Sequence, residues 1–241
     1  MTRFISLFSL VVTLLCTPLL GKAEGFGINA TRLIYPEGAT SISVAVRNTL
    51  SQQPYLVQVA ISGKQDMQTS TPFVVTPPLF RLEPNSVNQL RVAFTGTPLP
   101  GDRESVFYFH ATAIPSSAKT DASQLSKDVQ AQVRFGVGSI IKLFYRPASL
   151  SGSSAPAQKG LVFTREAAGV KVSNPSPYFI NLAGLTVGGQ KLALDTPAAL
   201  MLAPFGSHTW SVKSPLAKGS QVQWRTINDT GGIDAFNAVL P

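Results

Sequence analysis

The chain has 241 residues, 20 lysines and arginines against 12 acidic residues, two histidines and one cysteine. That length suits one large domain or two ordinary ones. The formal charge of +8 is scattered without any run of five like charges, which argues against a concentrated nucleic-acid face, and a lone cysteine excludes an internal disulfide or a thiolate zinc site.

The first 23 residues have the form of a secretory signal. Arg3 supplies the positive start, Ile5 to Leu15 is almost wholly apolar, and Gly21 and Ala23 sit three and one residues before a cut ahead of Glu24. A membrane anchor is the alternative reading. The apolar run is short for that, and it is followed by Cys16, Thr17 and Pro18. No later segment approaches the ~20 apolar residues of a spanning helix, so no membrane insertion is expected after cleavage. The expected mature chain, Glu24 to Pro241, keeps a charge of +6 and has no thiol, so its stability must come from its cores.

Taken in order, the mature chain predicts strands at Ile28 to Ile34 and Ser41 to Val46, separated by a Pro36-Glu37-Gly38 turn. Further strands are predicted at Pro54 to Ile61, Gln89 to Phe94 and Ser105 to Ile114, while the proline-punctuated Thr71 to Leu79 reads as an edge strand or a connection. No segment in this half keeps a 3.6-residue apolar period. Short strands with turn signals between them predict a β-sandwich.

After a polar stretch, Ser116 to Asp128, comes the most informative part of the chain, Val129 to Pro147. Val129, Ala131, Val133, Phe135 and Val137 alternate with Gln130, Gln132, Arg134, Gly136 and Gly138, the pattern of a half-buried strand. The strand runs into a basic and aromatic segment, Lys142 to Pro147. An apolar ladder with a fixed cation at one end suits the capture of another chain's extended backbone and its terminal carboxylate. The same alternation also fits a strand packed into its own core, and Arg32 and Lys142 also fit ordinary surface cations.

Ser149 to Gln158 is rich in serine, glycine and proline and reads as a linker. Beyond it, strands are predicted at Leu161 to Thr164, Gly169 to Val172, Tyr178 to Thr186, Lys191 to Leu194, Ser207 to Val212 and Gln221 to Ile227. The organisation expected is therefore a signal at 1–23, a first sandwich at 24–147, a linker at 148–158 and a second sandwich at 159–241.

Catalytic motifs are not visible. His110 and His208 fall in different predicted domains and in no metal-ligand spacing, and His110 reads as a surface or sandwich-lining residue. Neither a nucleophile elbow nor a phosphate-cradling or dinucleotide glycine pattern occurs.

At Ile141-Lys142-Leu143-Phe144-Tyr145-Arg146-Pro147 the sequence resembles the PapD-like periplasmic chaperones of the chaperone–usher pathway. Supporting pieces follow in order: Ala30-Thr31-Arg32-Leu33-Ile34-Tyr35, Pro54-Tyr55-Leu56-Val57-Gln58, Thr76 to Pro84, Asp102 to Tyr108, Val172 to Phe179, and Ile227-Asn228-Asp229-Thr230-Gly231-Gly232. The resemblance implies an all-β chain of two immunoglobulin-like sandwiches joined at an angle with a cleft between them. It implies a periplasmic, non-catalytic chaperone without a cofactor. Such a protein lends a strand to pilus or fimbrial subunits that lack one, and passes them to an outer-membrane usher. Arg32 and Lys142 would anchor the subunit's terminal carboxylate; Val129, Ala131, Val133, Phe135 and Val137 would form the donor strand; Glu104, Arg146 and Asp229 would form an ion network between the domains. Self-association through the exposed strand is a further expectation, as are a Ser116 to Asp128 loop that is mobile without a subunit and a strand that orders from Val129 onward on binding. That loop is long, like those of the long-loop subfamily, but the cysteine pair usual there is missing. Two other readings are a fimbrial subunit or adhesin, which would need a donor segment near its mature N-terminus, and an exported glycan-binding sandwich, which would need clustered exposed aromatics.

Overall fold

Alternating apolar and polar residues decide most of what the chain builds, because period two places one set of side chains on one face of a strand. The computed structural model describes residues 24–66, 69–116, 135–167 and 169–241. The first half forms β1 (Phe26–Ile28), β2 (Arg32–Pro36), β3 (Ile42–Asn48), β4 (Tyr55–Ser62), β5 (Phe73–Thr76), β6 (Leu79–Leu82), β7 (Ser86–Phe94), β8 (Ser105–Pro115) and β9 (Val137–Arg146). One sheet has the order β1-β3-β7-β5 and the facing sheet the order β2-β9-β8-β4-β6. Every pairing is antiparallel except that of β2 with β9, which is parallel.

Between the sheets lies one core. Val44 and Val46 of β3, Val57 and Val59 of β4, Leu90 and Val92 of β7, Phe107 and Phe109 of β8 and Leu143 of β9 supply it from alternate positions. Each side chain of this size contributes roughly 1.5–3 kcal/mol when taken out of water. At one end Tyr35, Phe73, Phe94 and Tyr145 form an aromatic cluster, with Phe73 and Phe94 5.3 Å apart and Phe94 and Tyr145 5.0 Å apart.

The second half forms α1 (Ser154–Lys159), β10 (Val162–Glu166), β11 (Gly169–Ser173), β12 (Ile180–Val187), β13 (Gln190–Lys191), α2 (Pro197–Leu200), β14 (Met201–Leu202), β15 (Ser207–Ser211), β16 (Gln221–Ile227) and β17 (Ile233–Val239). A sheet of order β10-β11-β15 faces one of order β13-β12-β16-β17, to which β14 adds by pairing with β12. Val170, Val172, Ile180, Leu182, Leu185, Trp210, Val222 and Trp224 fill this second core. The fold class is thus two β-sandwiches, as expected.

One local expectation needs correction, and two elements were not anticipated. The predicted strand Ile28 to Ile34 is two strands: β1 pairs with β3 in one sheet, and β2 pairs with β9 in the other. The chain crosses between sheets at residues 29–31, and the inward positions change phase there, from Ile28 and Ala30 to Leu33 and Tyr35, a one-residue shift that reading Ile28 to Ile34 as one strand passes over. The stretch read as linker contains α1, whose Gln158 is buried; its backbone carbonyl accepts from Trp224 Nε1 at 3.0 Å and its side chain accepts from Thr226 Oγ1. β17 was not anticipated, because Ile233–Val239 exposes four of its seven positions and, among the described residues, pairs only with β16. Most of the predicted 116–128 loop lies outside the described residues. No helix among the described residues is long and apolar enough to cross a membrane.

Candidate functional site at the junction of the two sandwiches

The parallel register of β2 and β9 sets Arg32 directly beside Lys142. β8 pairs with β9 from Val137 to Tyr145, whereas β2 covers the other side of β9 only from Lys142 to Arg146. Over residues 137–141, β9 therefore has one edge that no described strand covers, and the two cations stand where the cover begins. An uncovered edge presents unpaired N–H and C=O groups to any extended chain that approaches it.

Apolar side chains accompany that edge. Val137 lies opposite the fully buried Ala113 yet is 49% exposed, and Phe135, just ahead of the strand, is 81% exposed. Neither is tucked into the first core. Ile140, on the other face of β9, is exposed as well. Of the predicted ladder, Val129, Ala131 and Val133 lie outside the described residues.

The two cations are half-buried. Arg32 Nη1 donates to the Ile227 carbonyl at 2.9 Å, across to the second sandwich, while Arg32 Nε is buried with no hydrogen-bond partner among the described residues. Lys142 Nζ donates to Asn181 Oδ1 at 2.6 Å, also in the second sandwich. Beneath them Phe144 of β9 meets Phe179 at 5.7 Å, and the Arg32 guanidinium carbon lies 6.0 Å from the Phe144 ring. Burial pushes the Lys142 amine down to about 8, and the neighbouring Arg32 charge adds to the fall. Burial also lowers Arg32, against the opposing pull of Asp229 and Glu104. Among the described residues neither cation is hydrogen-bonded to a carboxylate. Two desolvated like charges, one with a buried unsatisfied donor, form a site that an incoming carboxylate would relieve.

A second cluster ties the sandwiches together beside the first. Arg146, at the end of β9, donates from Nε to Glu104 Oε1 at 2.7 Å, and from Nη1 and Nη2 to Asp229 at 2.7 and 3.1 Å. Glu104 is buried; its other oxygen accepts from the Phe179 backbone N–H at 2.8 Å, and its own N–H donates to the Pro177 carbonyl. Ser154 Oγ of α1 donates to Asp229 at 3.0 Å. Burial pushes the Glu104 carboxyl up against the pull of Arg146. For Asp229 burial pushes the same way, but the Arg146 hydrogen bonds and charge outweigh it and leave the carboxyl below its ordinary value. Glu104, Arg146 and Asp229 are therefore in one contact set. The sequence offered no sign of Asn181, Ser154, the Ile227 carbonyl or the Phe144–Phe179 pair, because each works only through the docking of one sandwich on the other.

His110 is buried, with its Nε2 2.7 Å from the Ser62 hydroxyl, and His208 meets Trp210 in the other half. No group of three or more metal-ligating side chains gathers among the described residues.

Two family models match. Residues 25–151 match the pili and flagellar-assembly chaperone PapD N-terminal domain, and residues 156–238 match the pili assembly chaperone PapD C-terminal domain. The chain belongs to the PapD-like pilus-assembly chaperones. A probable fimbrial chaperone protein, ElfD of Escherichia coli, is 40% identical over 86% of this chain and 83% of its own. The chaperone protein HifB of Haemophilus influenzae is 39% identical over 88% and 86%. Among solved structures, the E. coli chaperone DraB superposes with a TM-score of 0.73 at 33% identity, covering 90% of this chaperone and 97% of that chain. The Salmonella enterica SafB chaperone, solved with the SafA pilin, matches with a TM-score of 0.74 at 31% identity, covering 91% and 98%. The relatives span the whole two-sandwich unit rather than one half of it.

Proposed function

We propose that this periplasmic chaperone holds pilus subunits at the junction of its two sandwiches, with residues 24–147 and 159–241 as its working domains and 148–158 between them. The uncovered edge of β9 completes a subunit that lacks a strand. Phe135 and Val137, together with Val129, Ala131 and Val133 upstream, enter the subunit's apolar groove. Main-chain hydrogen bonds give the affinity, and alternate side chains give the fit. Arg32 and Lys142 hold the subunit's terminal carboxylate and so fix the register of the paired strands. Glu104, Arg146 and Asp229 keep the two sandwiches at the angle that brings both cations to one point. The bound subunit then passes to an outer-membrane usher by strand exchange, a step that needs no catalytic group and no cofactor.

The observation that carries this reading is the in-register pair Arg32 and Lys142 at the place where β2 stops covering β9, with Arg32 Nε buried and unpartnered among the described residues. A relative's structure with a pilin supports the same assignment of partner. The uncovered edge also gives the free chaperone a surface on which a second copy can pair.

The test is a pull-down from periplasm of wild type against Lys142→Ala. The wild type is expected to bring down a subunit, and the variant to fold normally and bring down none. Losing one partner of a desolvated charge pair typically costs ~2–5 kcal/mol of binding, enough to empty the complex during washing. Equal recovery of subunit by both proteins would remove the anchor role.

A further inference from the structure

Arg32 is aimed by the second sandwich, not by its own strand alone. The turn between β16 and β17 closes on itself: the Asn228 N–H donates to the Gly232 carbonyl, and the Gly231 N–H donates to the Asn228 carbonyl, both at 2.9 Å. The Asn228 side chain locks it further. Its Oδ1 accepts from the Thr230 N–H at 3.2 Å, from the Thr230 hydroxyl at 2.8 Å and from the Gly232 N–H at 2.8 Å, and its Nδ2 donates to Asp234 at 3.2 Å. Gly231 has a φ of +88°, and a Cβ built there would lie 2.2 Å from Thr31 Oγ1 and 3.2 Å from the rest of that side chain. The tip of the turn thus rests on the residue just before Arg32, and only glycine lets it come so close. On either side of that contact the same turn grips the first sandwich: the Ile227 carbonyl takes Arg32 Nη1, and Asp229 takes Arg146.

We infer that the 227–232 turn is a positioning element of the anion site, in which Asn228 and Gly231 set the direction of the Arg32 guanidinium without touching the bound carboxylate. This rests on the anchor reading above and deepens it. With Nη1 fixed on a carbonyl, the guanidinium of the residue in register with Lys142 is tied to the second sandwich rather than free to swing toward solvent. A bidentate cation held in advance loses less freedom on binding than one that must be ordered. Displacing the turn frees Nη1, and the guanidinium moves away from Lys142.

Two readouts on the free, full-length mature protein test this. One is the titration of the Lys142 amine by NMR. The other is binding of N-acetylglycine, as a minimal chain terminus, against N-acetylglycinamide. In Gly231→Ala the Lys142 midpoint is expected to rise from about 8 by about 0.5 unit or more as the like charge recedes. The preference for carboxylate over amide is expected to fall by about threefold to tenfold. Adding Thr31→Ala to Gly231→Ala, which removes the most crowded atoms, should restore both in part. Asn228→Ala adds no atoms and is expected to move both readouts the same way, so it carries the test if Gly231→Ala does not fold. A Lys142 midpoint and a carboxylate preference that stay at wild-type values in a folded variant overturn the inference. If the wild type itself does not prefer N-acetylglycine, the anchor reading falls instead, and the Lys142 titration still decides whether the turn places Arg32.

Discussion

The two halves of β9 make opposite use of one sequence pattern. From Lys142 to Arg146 the strand is covered by β2 on one side and β8 on the other, Leu143 and Tyr145 reach the first core, and Phe144 is buried against Phe179 of the second sandwich. From Val137 to Ile141 the same strand, with the same period, keeps one edge bare and its Val137 and Ile140 side chains half in water. The covered half is invested in the chaperone's own stability. The bare half leaves backbone groups and apolar side chains open to another chain, at the risk of aggregation that any exposed edge carries. The boundary between them is marked by charge, because Arg32 and Lys142 sit at the last point before the cover ends.

The largest effect that would break this division is in the covered half. Leu143→Ala removes a fully buried side chain from the first core and is expected to cost about 2–5 kcal/mol, read as a fall in the denaturation midpoint. Phe135→Ser, by contrast, is expected to leave the stability of the free protein within about 0.5 kcal/mol, since that side chain is already exposed, while sharply reducing recovery of subunit in a pull-down. If Phe135→Ser destabilised the free chaperone as much as Leu143→Ala, the segment leading into the bare half would be part of the core after all.

A smaller effect tests the ion network that joins the halves of the molecule. Asp229→Asn keeps the shape but loses the charge that Arg146 grips with two hydrogen bonds. The expected cost is about 1 kcal/mol, kept low because the Asp229 side chain is 37% exposed and partly screened. Its more telling mark is expected in small-angle scattering, as a broader spread of angles between two sandwiches whose separate cores are intact. A change in midpoint with no change in scattering would assign Asp229 to stability rather than to orientation.

The sandwich architecture was legible because its evidence is local. Val57 and Val59 of β4 or Val222 and Trp224 of β16 announce themselves by alternation, whatever they pack against. The crossing at residues 29–31 was not legible as a break, since its mark is a one-residue change of phase, from Ile28 and Ala30 to Leu33 and Tyr35, inside a stretch apolar enough to pass for one strand. β17 was hidden for a related reason: its outward Ile233 and Val239 blur the inside-outside contrast that marks a strand. At the site, Arg32, Lys142, Glu104, Arg146 and Asp229 were nominated by resemblance, not by spacing. Asn181, Ser154 and the Gly231–Thr31 contact depend on segments far apart in sequence meeting across the junction, and no window of sequence contains both partners.

The smallest and most diagnostic effect concerns Lys142 and pH. Its amine faces Arg32 across the strand pair, Tyr108 in register on β8, and the neutral Asn181 from the second sandwich. In the free fold its midpoint is held at about 8, below the 10.5 of an ordinary lysine, chiefly by burial. Between those two values the unfolded chain binds a proton that the folded one has released, so this group makes the free chaperone more stable as pH rises through that window. A carboxylate bound beside Lys142 reverses the preference, because it favours the charged amine. Capture of a chain terminus should therefore take up a proton above pH 8 and weaken as pH rises further. Arg32 stays charged throughout, so the loss should be partial, and it should be absent in Lys142→Arg, which cannot release its proton in that range. Calorimetry of N-acetylglycine binding at pH 7 and pH 9.5, in buffers of different ionisation enthalpy, would read the proton uptake directly. Affinity that holds constant across that interval in the wild type would mean that the carboxylate does not meet Lys142, and that the boundary between the two halves of β9 is drawn by Arg32 alone.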